Sequence, residues 1–342
     1  MHKPLRVLSI DGGGTRGLFP ATILHEWEKE TGESVTDYFD VIVGSATGGI
    51  ITLGLAAGLP IAEIAGIYRD RASFILPRNF WRRVFNPFNL FRPKYPNDNL
   101  QQLLSEKLGS TTTLGDVAQR YGTDTIFLTG TLDMSPDLAP GETPAFKVVV
   151  YNSAHTTDAH EKLVDLAMRT SAAAVNLPLF GRYGESGNYA NDPGLIALAF
   201  CLNAQPAAPG QSLLPGGLQG LGLQPTDLRF LSLGCGSDGS SYVPRKKIGT
   251  GQWGLIKWMG RLISLVIHTN MEFTQHVLQQ VLAPRQFYRL SGYYKSAAAP
   301  AVLKDKKLKI DVTDREQLDA IETFARQVFA HRREELRAFF EG

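Results

Sequence analysis

Val43-Gly-Ser-Ala-Thr-Gly-Gly49 lies between a short apolar run and an apolar stretch of helical spacing over residues 49–59. Its frame is that of a nucleophile elbow, G-x-S-x-G, with Gly44 and Gly48 as the flanking glycines. Glycines at those places let a strand turn sharply into a helix and lift the middle side chain above a sheet. The middle position is Ala46, where the pattern calls for serine. A methyl group cannot attack a carbonyl.

Towards the N-terminus, residues 5–10 (LRVLSI) read as a buried strand and run into Asp11-Gly-Gly-Gly-Thr-Arg-Gly17. A helix is expected over residues 18–30 and a second strand over 40–43. Strand, glycine turn and helix, used twice in succession, predict a mostly parallel sheet with helices on both faces. Further strands are expected over 125–132, 146–151 and 228–233, and helices over 99–108, 161–173, 194–202, 253–282 and 314–340. The last carries Leu318, Ile321, Phe324 and Val328 at helical spacing, a stripe that should pack on the body. Residues 206–225, rich in Pro, Gly, Gln and Leu, read as an irregular insertion. The expectation is a single domain over 1–342, with a core of about 5–240 and a C-terminal helical extension of about 250–342.

The 342 residues are 43% hydrophobic and 20% charged, with a formal net charge of +2. That composition is globular and too near neutrality for a nucleic-acid polymer to be the default partner. The two cysteines, Cys201 and Cys235, form no metal-spaced cluster, so neither zinc nor any other metal is expected, and a reduced, cytoplasmic-type chain is the simpler reading. The N-terminus lacks the pattern of a signal peptide, and no apolar run approaches the roughly 18 residues of a membrane span, so membrane contact would be peripheral.

A glycine cluster between strand and helix can turn backbone N–H groups toward one point, there to hold a phosphate or an oxyanion. A dinucleotide site would also need an acid about 20 residues on, and Asp37 and Asp40 lie near that range. The elbow frame argues for the oxyanion instead.

With these pieces in hand, the chain resembles the patatin-like phospholipase family from Val7 to about Gly236. The resemblance rests on the DGGGTRG loop, the GSATGG elbow, Arg169-Thr-Ser-Ala-Ala, the segment 183–198 and Ser232-Leu-Gly-Cys-Gly236, in the family's order. It implies a three-layer α/β/α fold, a serine–aspartate dyad without histidine, hydrolysis of lipid acyl esters (phospholipase A type), and no cofactor. It also implies an oxyanion hole from Gly12, Gly13, Gly14 and Thr47. The family's acid precedes an Asn-Asn-Pro-like triplet, here Asn191-Asp-Pro193, and counting back places it at Glu185. Aspartate has thus become glutamate, the next glycine has become Ser186, and Ala174 stands where the family's Ser-Ala-Ala-Pro stretch has proline.

Those departures predict a silenced hydrolase: Ala46 lacks the nucleophile, and Glu185 displaces the carboxylate by a methylene. The alternatives are a non-catalytic lipid-binding pseudoenzyme, or a cyclic-nucleotide-activated phospholipase effector of bacterial antiphage defence. Basic patches at Arg245-Lys-Lys247 and residues 304–309 could serve such a nucleotide, or form a solvated face. Ser45 is an unpromising substitute nucleophile, because an elbow exposes only its middle residue. Arg16 could meet an anionic headgroup or bridge to a neighbouring loop. Asp192 is better read as capping the helix that follows Pro193 than as a catalytic acid. The histidines, His268 among them, form no metal-like pair and read as surface or core residues. Phe80, Trp81, Phe85, Phe88, Phe91 and Tyr95 interleave with Arg78, Arg82, Arg83, Arg92 and Lys94. Aromatic bodies with cationic tips suit an anionic membrane surface, so residues 80–95 are expected to make a peripheral contact or lid.

Overall fold

A computed structural model describes residues 3–77, 86, 89–259, 261–305 and 308–341. Its strands are β1 (Leu5–Ile10), β2 (Val41–Gly44), β3 (Ile126–Asp133), β4 (Lys147–Asn152), β5 (Tyr183–Glu185), β6 (Leu228–Leu233) and β7 (Phe287–Leu290). They form one sheet in the order β4-β3-β2-β1-β6-β7, with β5 paired to the end of β3. β1, β2, β3, β6 and β7 run parallel, while β4 and β5 pair with β3 antiparallel. The mixed α/β architecture with a mostly parallel sheet is the one expected.

The helices that matter here are α1 (Leu18–Thr31), α2 (Thr47–Ala56), α3 (Ile61–Asp70), α4 (Asp98–Leu108), α5 (Leu163–Thr170), α6 (Gly194–Leu202), α7 (Leu255–Met259), α8 (Leu262–Val281) and α9 (Arg315–Glu341). Side chains alternate across the sheet, as the pleat requires. Leu8 and Ile10 of β1 enter a core with α1, α2 and α9, while Val7 enters a second one with α6 and α8. Helices therefore cover both faces, and the strands between them are apolar on both sides. Leu318, Ile321 and Phe324 of α9 are buried and Val328 is half-buried, as the stripe predicts. Phe324 meets Phe19, and Phe340 meets Trp27, with ring centroids 6.1 and 5.5 Å apart.

The structure departs from expectation in several places, the short strand β5 among them. The segment after 250, read as helical, also supplies β7. Its long helix is divided into α7 and α8. The helix α3, which the sequence reading passed over, packs beside α1 and carries Tyr68 to the site.

Candidate active site

The site forms at the C-terminal ends of β1 and β2, where parallel strands leave a crevice between their loops. β2 ends at Gly44 and α2 begins at Thr47, so a two-residue turn joins them. Ala46 holds φ 49° and ψ −114°, in the left-handed half of backbone space. Such a conformation costs an L-residue about 1–3 kcal/mol and persists only where its surroundings impose it. They do so by close approach: a Cβ on Gly44 would lie 2.1 Å from the Gly48 carbonyl, and one on Gly48 would lie 2.1 Å from that of Ile10.

Beneath the turn lies a buried set of hydroxyls. The Ala46 N–H donates to Thr170 Oγ1 and to Ser186 Oγ, both at 3.2 Å. Ser186 Oγ also meets Ser45 Oγ at 2.7 Å and Thr170 Oγ1 at 2.9 Å. Ser45 is buried with its hydroxyl engaged there, pointing away from the cavity that Ala46 lines.

The glycine loop packs against this turn. Gly12 N–H donates to the Asn191 carbonyl at 2.8 Å, which corrects its assignment to the oxyanion hole: that amide is already engaged. The amides of Gly13, Gly14 and Thr47 make no hydrogen bond among the described residues, and all three residues line the cavity. Gly13 cannot carry a side chain, since its Cβ would sit 2.4 Å from that of Cys235. Thr47 is held by Tyr68, whose hydroxyl accepts from Thr47 Oγ1 at 2.7 Å and donates to the Thr47 carbonyl at 3.0 Å. The Arg16 guanidinium spans the Gly13 and Gly236 carbonyls at 3.4 and 3.3 Å, the loop-bridging geometry, while still lining the cavity.

Glu185 ends β5 opposite Thr131 of β3 and is buried at the cavity wall. Burial pushes its carboxyl up to about 7, and the backbone N–H of Ala174 pulls the other way. Proline at 174 would lack that donor. An alanine at 174 thus keeps an N–H that favours the Glu185 carboxylate.

Asp192 is fully buried and outside the cavity wall. Its Oδ1 accepts from the Gly194 N–H at 3.0 Å, the expected capping role, although Pro193 is itself the N-cap. Sequence reasoning missed its larger partner, Arg289 of β7. Arg289 Nη1 lies 2.8 Å from Asp11 Oδ1, 3.2 Å from Asp192 Oδ2 and 2.6 Å from Ser232 Oγ. Through Asp11 this half-buried arginine ties the start of the glycine loop to the sheet. Asp11 just after β1 and Asp192 just before α6 are two buried acids, and they require a cation.

The cavity has a volume of about 400 Å³, and apolar groups such as Ile50, Leu100, Leu177, Ile263 and Met271 dominate its wall. His268 also lines it from α8, with Nδ1 2.8 Å from the Ser264 carbonyl. Cys235 is no substitute nucleophile: burial pushes its thiol up to about 12. Among the described residues no group of three or more His, Cys, Asp or Glu is placed to hold a metal. The aromatic–basic stretch falls mostly outside the described residues, including Arg78, Phe80, Trp81, Arg82, Arg83, Phe85 and Phe88. Of its remainder, Phe91 is 79% exposed, whereas Tyr95 is buried against Asp311.

A strained elbow, a glycine loop with open amides and a buried carboxylate surround one apolar cavity, on the α/β fold described above. The family model for patatin-like phospholipase matches residues 8–193, and the chain belongs to that family. It is 30% identical over 286 residues to a cGAMP-activated phospholipase of Pseudomonas aeruginosa, covering 82% of this chain and 76% of the relative. A cGAMP-activated phospholipase of Vibrio cholerae is 28% identical over 328 residues, 89% of this chain and 86% of the relative. Patatin-like protein 2 of Arabidopsis thaliana is 29% identical over 360 residues, 92% of this chain and 80% of the relative. Among solved structures, VipD of Legionella pneumophila aligns with 96% of this chain and 67% of its own, at 11% identity and a TM-score of 0.42.

Proposed function

We propose that residue 46 is the attacking position of a lipid acyl hydrolase site, that Glu185 is its acid–base partner, and that Ala46 leaves the chain without turnover. The observation that carries this reading is the backbone of Ala46, which keeps the costly elbow conformation although no hydroxyl remains to be presented.

With serine at 46, Oγ would attack the ester carbonyl carbon while its proton passes to the Glu185 carboxylate. Negative charge would develop on the carbonyl oxygen, toward the open amides of Gly13, Gly14 and Thr47. Collapse would expel the alcohol, protonated by Glu185, and leave an acyl-enzyme. Water, deprotonated by the same carboxylate, would then release the fatty acid. The apolar wall suits an acyl chain, and a glycerophospholipid is the substrate class that family membership favours. We take 1–342 as one domain, because β7 supplies Arg289 and α8 supplies cavity wall.

A second element is an activator. The relatives from Pseudomonas aeruginosa and Vibrio cholerae are cGAMP-activated, and their similarity extends over most of this chain. We infer a cyclic dinucleotide as regulator here also, with membrane contact peripheral; among the described residues no helix is long and apolar enough to cross a membrane. Without a nucleophile, the chain would keep lipid and nucleotide binding and lose cleavage.

The test is fatty-acid release from a fluorogenic phospholipid, with and without cyclic dinucleotides. The parent chain should be inactive, Ala46→Ser active, and Ala46→Ser with Glu185→Asp more active. Serine adds no strain beyond that of alanine, since both carry one Cβ at the same φ. If every variant is folded and none cleaves an ester under either condition, the hydrolase reading is wrong.

A further inference from the structure

The surface beside the cavity mouth carries an apolar face that no part of the described chain covers. Leu255 and Ile256 of α7 are 71% and 87% exposed, and Met259, Leu262, Leu265 and Val266 are exposed beside them. Along its 20 residues α8 buries only Thr274 and Leu278, and its first two turns contain no charged residue. Scattered apolar residues at a surface need no explanation, but a contiguous set on consecutive helices does.

The chemistry around this face selects its partner. No acidic residue occurs between Asp238 and Glu272, whereas Arg245, Lys246, Lys247, Lys257 and Arg261 all do. Lys257 Nζ and the Arg261 guanidinium lie 5.3 and 5.4 Å from the Trp253 ring, which packs edge-on against Trp258 at 5.3 Å. A second copy of the chain, related by a two-fold axis, would bring these cations against themselves. Aliphatic tips, a tryptophan pair and a cationic rim without acids match the boundary between anionic headgroups and acyl chains.

The face is also continuous with the cavity. Ile263, Ile267 and Met271, at i, i+4 and i+8 of α8, line the cavity, while Leu262, Leu265 and Val266 of the same turns face outward. We propose that α7 and the first turns of α8 dock on a lipid surface carrying anionic headgroups, and that α8 leads a lipid from that surface into the cavity. The inference rests on reading the cavity as a lipid site, but its test needs no turnover.

The full chain is sedimented with phosphatidylcholine vesicles, pure or containing about one third phosphatidylglycerol, at low and high salt. Binding should be about tenfold stronger to the anionic vesicles and weaken with salt. Ile256→Glu, and separately Lys246→Ala with Lys247→Ala, should each lower it about tenfold, with thermal unfolding unchanged. None of these residues lines the cavity. Parent-like binding by Ile256→Glu would overturn the proposal. So would a change of oligomeric state in that variant with vesicle binding intact, which would make the face an interface between copies. If vesicle binding follows expectation while Ala46→Ser cleaves no lipid, the docking surface stands and the hydrolase reading falls.

Discussion

The Ala46 N–H and the Ser186 hydroxyl are joined at 3.2 Å, so the turn after β2 is held from beneath by a side chain 140 positions away. Ser186 is fully buried and also meets Ser45 and Thr170. Its φ of −69° makes no demand for glycine. The hydroxyl therefore acts as a strut under the elbow.

Ser186→Ala should expose that role. The Ser45 hydroxyl would lose its only side-chain partner, and the Ala46 amide would keep Thr170 alone. A buried polar group left short of a partner costs about 1–3 kcal/mol. The expected result is a lower urea midpoint with an unchanged m-value. An unshifted midpoint would mean that the hydroxyl cluster contributes nothing to stability.

Arg289→Met should be far more damaging. It would leave Asp11 and Asp192 facing each other without the cation bonded to both, a loss of about 3–5 kcal/mol for a broken buried pair. Burial already pushes the Asp11 carboxyl up to about 7, and the neighbouring Asp192 charge adds to this while Arg289 opposes it. Without the arginine, Asp11 should hold its proton to higher pH still. The variant's deficit against the parent should therefore shrink as pH falls from alkaline values to about 7, and level off below it, where both folded forms hold the Asp11 proton. A pH-independent deficit in chemical unfolding would contradict this account.

How much of this was legible follows from the range of each signal. β1 and β6 were read at their observed bounds, because an apolar run closed by glycine is written within a few residues. The elbow was legible for the same reason, and so was the stripe on α9. Arg289 was not, since its bonds to Asp192 and Asp11 span 97 and 278 positions. β7 is four residues long and carries that arginine, so its sequence does not read as apolar; β5, of three residues, is a strand only because β3 is there to receive it. The engagement of Gly12 by Asn191 was equally hidden, because a motif names the loop that offers amides but not the partner that occupies one. The exposed face of α7 and α8 is another case: an apolar pattern over residues 253–268 does not say whether it is covered, and the fold leaves much of it exposed.

Glu185 gives the prediction with the plainest sign. Burial raises its carboxyl from 4.5 to about 7, against the pull of the Ala174 amide. The folded state thus retains a proton that the unfolded chain gives up at lower pH. Its stabilising contribution is complete below about 4.5 and is lost as pH rises through about 7, amounting to about 3 kcal/mol at most. Glu185→Gln removes that titration, so its stability relative to the parent should rise across the window and level off above it. In an Ala46→Ser background the same group must be ionised to accept the serine proton, so activity should appear along an acid limb centred near 7. Ala174→Pro in that background removes the backbone N–H that favours the carboxylate, and the limb should move to higher pH. A limb that stays in place in a folded Ala174→Pro variant would mean that the proton-accepting group is not Glu185.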